Sequence, residues 1–122
     1  MVNGRLKGNS AEREICKILS KYFSGKFERR SMGMKGSDII CPVDFPYEVE
    51  VKHDKALRLK HFWQPTKKLE EFWQQTVNQA CYTDKMPLLC AKVEGIWFCW
   101  QTKPFHTAQL LEDWCLINSN QT

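Results

Sequence analysis

Ser37-Asp38-Ile39-Ile40-Cys41 and, after a short turn, Tyr47-Glu48-Val49-Glu50-Val51-Lys52 are the stretches on which the fold of this chain depends. Both are apolar and β-branched, bounded by glycine on one side and proline on the other, and so read as strands. Pro42, Asp44 and Pro46 between them supply turn chemistry, and an antiparallel hairpin is expected. The two-residue period of the second strand sets Glu48, Glu50 and Lys52 on one face and Val49 and Val51 on the other. Pairing with the first strand brings Asp38 beside the charged face. The expected result is a group of carboxylates with one amine among them, mounted on a rigid sheet.

Carboxylates held close together resist ionising unless a cation joins them. Hard oxygen ligands on a stiff strand suit Mg²⁺, which keeps several waters and takes only one or two protein carboxylates. A lysine beside such an ion can orient an attacking water or stabilise charge on a phosphate. An E-x-K on a strand is common by chance, as an exposed face of alternating charges, and alone it favours that plainer reading. Asp38 on a neighbouring strand narrows that choice.

A chain of 122 residues with 43% hydrophobic content is expected to form one domain with a real core, residues 1–122. No apolar run reaches transmembrane length, and no apolar signal-peptide core stands near the N-terminus. The six cysteines contain no C-x-x-C pair and sit among apolar neighbours. They read as small buried hydrophobes of a reducing cytoplasm rather than a disulfide framework or a zinc site. His53, His61 and His106 are too scattered for a metal-ligand pattern.

Charge is unevenly spread. Residues 1–35 carry nine Lys/Arg against three Glu, a balance of +6, and the remaining residues carry −2, giving the net +4. A basic N-terminal third feeding into an acidic cluster suits a protein that cuts a polyanion: cations draw phosphates in, and carboxylates hold metal against one of them. A solvated cationic surface would show the same balance.

Residues 1–8, with Arg5 and Lys7 between glycines, read as a flexible basic arm. Asn9 or Ser10 is expected to cap a helix to about Phe23, with Ile15, Ile18, Leu19 and Tyr22 inward. Glu12, three residues after Asn9, fits a capping box equally well. Phe27 to Ser31 reads as a strand with Arg29 and Arg30 on opposite faces, and 31–36, including Lys35, as a glycine-punctuated loop able to approach a phosphate backbone. His53 to Pro65 interleaves Lys55, Arg58 and Lys60 with Phe62 and Trp63, which fits either nucleic-acid contact or a loop folded on the core. Thr66 is placed to cap a second helix to about Tyr82, with Leu69, Phe72/Trp73, Val77 and Ala80 as its stripe. Gln75 and Gln79 lie one turn apart on another face, either idle or reaching the acidic group. Leu88 to Val93, the Glu94-Gly95 turn and Ile96 to Trp100 form a hairpin. After Pro104 breaks it, a short helix runs from Thr107 to about Cys115, and 116–122 form a tail. The order expected is α-β-β-β-α-β-β-α.

Lys7-Gly8-Asn9-Ser10-Ala11-Glu12-Arg13-Glu14, Arg30-Ser31, Asp38 and Glu50-Val51-Lys52 together closely resemble the archaeal-type Holliday junction resolvases of the PD-(D/E)xK nuclease superfamily. The likeness is specific over residues 5–53 and follows by element order to about residue 105. Ser37 departs from it, standing where the superfamily's name expects proline. The resemblance implies a restriction-endonuclease-like α/β fold, a mixed five-stranded β-sheet flanked by helices. It also implies Mg²⁺-dependent phosphodiester hydrolysis, with Mn²⁺ able to substitute, and a two-fold symmetric homodimer. Carried over residue by residue, it makes Glu12, Asp38 and Glu50 the acidic metal-site residues and Lys52 the catalytic lysine. The ion would rest on Asp38, Glu50 and the Val51 carbonyl, with Glu12 completing the site, through a water if not directly. Arg13, Arg30 and Ser31 match positions near the site. Phosphate contacts are expected from Arg5, Lys7, Arg13, Arg29, Arg30, Ser31, Lys35, Lys55, Arg58 and Lys60. Glu48 has no counterpart and reads as a spare carboxylate at the rim.

The function so implied is resolution of four-way DNA junctions by paired symmetric nicks, in the cytoplasm of a bacterial, archaeal or phage-infected cell, without membrane or small-molecule cofactor. One rival is the same fold cutting other branched or linear duplex DNA. A more distant one is a non-catalytic DNA-binding module, in which the acids only tune a basic surface.

Overall fold

The computed structural model describes residues 4–30, 38–103 and 107–119, with side chains from Ser10 onward. The elements run α1 (Gly4–Tyr22), β1 (Glu28–Arg29), β2 (Ile39–Ile40), β3 (Tyr47–Lys52), a 3₁₀ turn (Leu59–Phe62), α2 (Lys67–Ala80), β4 (Met86–Val93), β5 (Ile96–Trp100), β6 (Gln109–Leu110) and α3 (Leu111–Ser119). The fold is mixed α/β. In place of one five-stranded sheet it has a four-stranded sheet in the order β3-β4-β5-β6 and a separate two-stranded ribbon, β1-β2.

The expected hairpin between residues 37–41 and 47–52 does not form. β2 pairs antiparallel with β1, with Glu28 opposite Ile40 and Arg29 opposite Ile39. β3 instead runs parallel to β4 over its whole length, Tyr47 opposite Met86 through Lys52 opposite Ala91. The proline-rich link does turn, with Phe45 N donating to Pro42 O at 3.0 Å. Its outcome is decided by Phe45, which is buried and packs edge-on against Phe23, Phe27 and Tyr47. Anchored there, the chain enters β3 without folding back on β2. The parallel pairing then requires a crossover, and α2 provides it. Both faces of β3 are covered, as parallel strands demand.

The sheet separates two cores. Ala11, Ile15 and Leu19 of α1 pack with Val49, Val51, Leu88, Cys90, Cys99 and the α3 residues Leu111, Trp114 and Cys115. On the other face Leu69 of α2 meets Leu89, Ala91, Val93 and Trp100, with Leu57 and Phe62 from the 53–65 segment. That segment is therefore folded onto the core at Leu57 and Phe62, while Lys55, Arg58 and Lys60 stay exposed. All six cysteines are free; those at 90, 99 and 115 are buried as expected of small hydrophobes, whereas Cys16 and Cys41 are half-buried and Cys81 is exposed, against that expectation.

Three boundaries differ from expectation. Residues 4–8 belong to α1 rather than to a flexible arm, so Asn9 and Ser10 lie inside the helix rather than at its start. Arg5, Leu6 and Lys7 are good helix formers, and they carry the helix through Gly8 despite its cost of about 1 kcal/mol. At the other end α3 begins at Leu111 and reaches Ser119, so the expected tail is helical over 116–119. Residues 109–110 add a short strand, β6, on β5. Thr66 does cap α2, its hydroxyl accepting from Leu69 N at 3.3 Å.

The turn after α1 is set by Gly25, at φ +98°, where a Cβ would come within 2.5 Å of Pro42 Cγ. Gly95, at φ +83° in the β4–β5 turn, has nothing within 4 Å. Gly25→Ala is thus expected to cost about 2–3 kcal/mol, strain plus overlap, whereas Gly95→Ala costs only the strain of about 1 kcal/mol. Urea unfolding of the two variants checks the difference, and equal losses would contradict the packing against Pro42.

Candidate active site

β3 is the edge strand of the four-stranded sheet, and its outward backbone groups need partners other than a fifth strand. Asp38 supplies one. It stands just before β2, where Arg30 N donates to Asp38 O at 2.9 Å. Its side chain reaches β3, and Oδ2 accepts from Val51 N at 3.0 Å. Asp38 thus arrives beside β3 through a side-chain bond to backbone, not through strand pairing.

Glu50 is 2% exposed. It lies on the α2 side of the sheet, in register with the core residue Leu89. Its Oε2 is 3.9 Å from Lys52 Nζ, and its Oε1 is buried with no hydrogen-bond partner among the described residues. Burial, with Asp38 next and Glu48 and Glu12 adding to it, pushes its carboxyl up to about 7, and Lys52 opposes the shift. Asp38 is likewise raised by burial, against the Val51 N–H, Lys52 and Arg30. Glu12, on α1, is raised by burial and then by Asp38, with Arg29 and Lys52 opposing. The mutual influence of these groups places Glu12, Asp38, Glu50 and Lys52 in one electrostatic neighbourhood. Lys52 also stands 5.0 Å over the ring of Phe72, on α2.

Other expected site residues fall differently. Arg29 and Arg30 flank the acids, Arg29 near Glu12 and Arg30 near Asp38. Val51 contributes its N–H, to Asp38. Arg13 is exposed on α1, one residue from Glu12. Lys55 and Arg58 line a separate cleft with His53, and Lys60 is exposed in the 3₁₀ turn. Gln75 is exposed and Gln79 half-buried on α2, and neither bonds to the acids or to Lys52 among the described residues. Ser31 and Lys35 lie outside the described residues, as do the side chains of Arg5 and Lys7. Glu48 is not at a rim: it is 8% exposed and adds to the charge that raises Glu50.

Two features escape a reading of the sequence. Phe72 reads only as part of the α2 core stripe, yet it backs Lys52. Glu14 links α1 to the β4–β5 hairpin, its Oε1 accepting from Lys92 Nζ at 3.0 Å and from Trp97 Nε1 at 3.2 Å. Partners some 80 residues apart leave no local signal.

Among the described residues, no three His, Cys, Asp or Glu side chains converge as a ready-made metal cage. The donors present nevertheless fit a hard divalent ion. Glu50 is buried beside the half-buried Asp38, which raises its pKa, and one Glu50 oxygen lacks a partner among the described residues; an ion that keeps its waters needs only one or two such ligands.

An α/β domain that sets an Asp beside a strand carrying Glu-x-Lys matches the residue motif for which PD-(D/E)xK nucleases are named. Residues 3–100 match the model of a family described as "Phage putative PDDEXK endonuclease". The match spans well over half of the chain, and the chain belongs to that family: it is a nuclease, and so a hydrolase, in class. No curated protein matches it. No helix among the described residues is long and apolar enough to cross a membrane.

The raised carboxyl of Glu50 has a consequence for stability. A folded value of about 7 against an ordinary 4.5 means the native state binds the extra proton between those limits. This contribution is fully present below about pH 4.5 and lost as pH rises through about 7, a change on the order of 3 kcal/mol. In metal-free buffer, Glu50→Gln should therefore be less stable than wild type by little at about pH 5 and more stable by roughly 1–3 kcal/mol at about pH 8. Urea denaturation at the two values checks it, and parallel pH profiles would contradict it.

Proposed function

We propose that the chain is a divalent-cation-dependent endodeoxyribonuclease that nicks four-way DNA junctions symmetrically, as a homodimer, with Mg²⁺ as the working ion. The observation that carries the reading is the bond from Val51 N to Asp38, which sets a second carboxylate beside the buried Glu50 and Lys52. When bound, a divalent ion polarises a phosphate oxygen and lowers the pKa of a water. Asp38 and Glu50 would hold it, with the Val51 carbonyl, and Glu12 would complete the site through water. Lys52, between Glu50 and Phe72, would orient the attacking water or donate to a phosphate oxygen. Arg29 and Arg30 would neutralise phosphates on the near side, and Arg5, Lys7, Arg13, Ser31, Lys35 and Lys60 would add backbone contacts that position the duplex without reading its sequence.

The junction as substrate is supported by the sequence likeness at Glu12-Arg13, Arg30-Ser31 and Glu50-Val51-Lys52. Paired nicks in strands of like polarity need two sites related by a two-fold axis, and a dimer with one site per subunit supplies them. Exposed Tyr82 and Met86, at the end of α2 and the start of β4, offer apolar surface for such a contact.

The test is cleavage of a synthetic junction and of its linear arms, with Mg²⁺ and with EDTA. Paired nicks on the junction alone, absent in EDTA, are expected. Equal cutting of the linear arms would replace resolution with general duplex cleavage, and no cutting of any DNA would leave a binding module. Asp38→Asn and Lys52→Ala should each lower nicking by at least about 10²-fold while binding in Ca²⁺ persists. Full activity in either variant would remove that residue from the site.

A further inference from the structure

One cleft lies beyond the acids. It measures about 230 Å³ and is lined by His53, Asp54, Lys55 and Arg58 on one side and Lys92 and Glu94 on the other. We propose that this cleft is a phosphate subsite, in which Lys55, Arg58 and Lys92, converging between the 53–58 loop and the 92–95 turn, hold a backbone phosphodiester of the DNA next to the one cut. The inference rests on the nuclease reading and specifies how that site holds its substrate strand.

The walls of the cleft are built rather than loose. Asp54 Oδ1 accepts from Ala56 N at 2.8 Å and its main-chain oxygen from Leu57 N at 3.0 Å, closing a tight turn. Buried Leu57 anchors that turn to the core. Glu94 Oε2 accepts from Leu59 N at 2.8 Å, which ties the loop to the β4–β5 turn across the cleft. The two acids are thus occupied: Glu94 by backbone, Asp54 by backbone and by Lys68 at 2.8 Å.

The cations are disposed differently. Lys92 Nζ donates to Glu14 at 3.0 Å, which fixes its position and leaves two of its three donors for another acceptor. Lys55 and Arg58 are exposed and form no ion pair among the described residues. The lining carries three cations against two acids, Asp54 being paired with Lys68 and Lys92 with Glu14, which leaves Lys55 and Arg58 as the cations available to an anion. At a volume several times the roughly 30 Å³ share of one water, the cleft has room for a phosphate with part of its hydration.

Its position selects which anion. His53 directly follows Lys52, and Lys92 directly follows Ala91, the register partner of Lys52 on β4. The cleft therefore opens one or two residues past the lysine, about 3–7 Å along the strands. Successive phosphates of one DNA strand advance by about 3.4 Å along the helix axis. Lys92 points to the α1 side, toward Glu14, and Lys52 to the α2 side, so a DNA strand with one phosphate at Lys52 would pass the end of β3 to bring a nearby phosphate to Arg58 and Lys92.

Junction binding in Ca²⁺, measured by fluorescence anisotropy over a salt series, tests the subsite without cleavage. Lys55→Ala and Arg58→Ala, both at exposed positions, should each lower the slope of log K against log salt by about 1. Junctions carrying a single neutral methylphosphonate, stepped through the three linkages on each side of the branch point, then locate the contact. At one position neutralisation should weaken wild type by about 5- to 10-fold and add nothing in Arg58→Ala. Unchanged slopes, or neutral linkages that weaken Arg58→Ala as much as wild type at every position, would overturn the subsite. These outcomes stand apart from the nuclease reading. A protein that cuts in Mg²⁺ with unaltered slopes loses only the subsite. One that shows the slopes and never cuts loses the nuclease reading and keeps an anion cleft.

Discussion

A single hydrogen bond organises this molecule: the N–H of Val51, on the open edge of the sheet, donates to the carboxylate of Asp38. An edge strand must find partners for its outward backbone groups, and here one partner is a charged side chain from another sheet. The bond ties the β1-β2 ribbon to β3. It also forces a carboxylate into a place where Glu50 is already buried. Attachment of the ribbon to the sheet edge and the approach of Asp38 to β3 are thereby one event.

The electrostatic consequence is an unbalanced group of acids. Glu50, Asp38 and Glu12 are all pushed toward the protonated form, and Lys52 offsets only part of the effect. A buried, partnerless carboxylate oxygen costs stability that a purely structural site has no reason to bear. Membership of a nuclease family gives that cost a purpose, since a divalent ion would relieve the crowding and act on a phosphate. The proposed junction specificity and dimer then concern how two such sites are brought to one branched DNA.

Much of this was legible in the sequence, and the failures are instructive. The Thr66 cap and the Glu94-Gly95 hairpin are local features and form as expected, and the α2 stripe does so at Leu69, Phe72, Trp73 and Ala80, with Thr76 rather than Val77 as its buried middle. Strands also form at Ile39–Ile40 and Tyr47–Lys52, but they do not pair with each other. A period of two says that a strand has two faces, not which strand lies beside it, and buried Phe45 diverts the chain into a parallel crossover. Gly4 and Gly8 suggested an arm, yet helix formers around them carry α1 through. Glu48 looked like a surface charge because alternation cannot reveal that both faces of β3 are covered. Lys92 and Glu14 meet only through the tertiary fold, so no spacing announces them.

The most direct test of the shared-ion account is titration of the protein with Mn²⁺ at about pH 8, followed by electron paramagnetic resonance of the free ion. Wild type should take up one or two ions per chain, and Asp38→Asn and Glu50→Gln should each weaken uptake by about 10-fold or more. Uptake that is absent from wild type, or undiminished in both variants, would contradict the claim that these carboxylates are gathered around a cation.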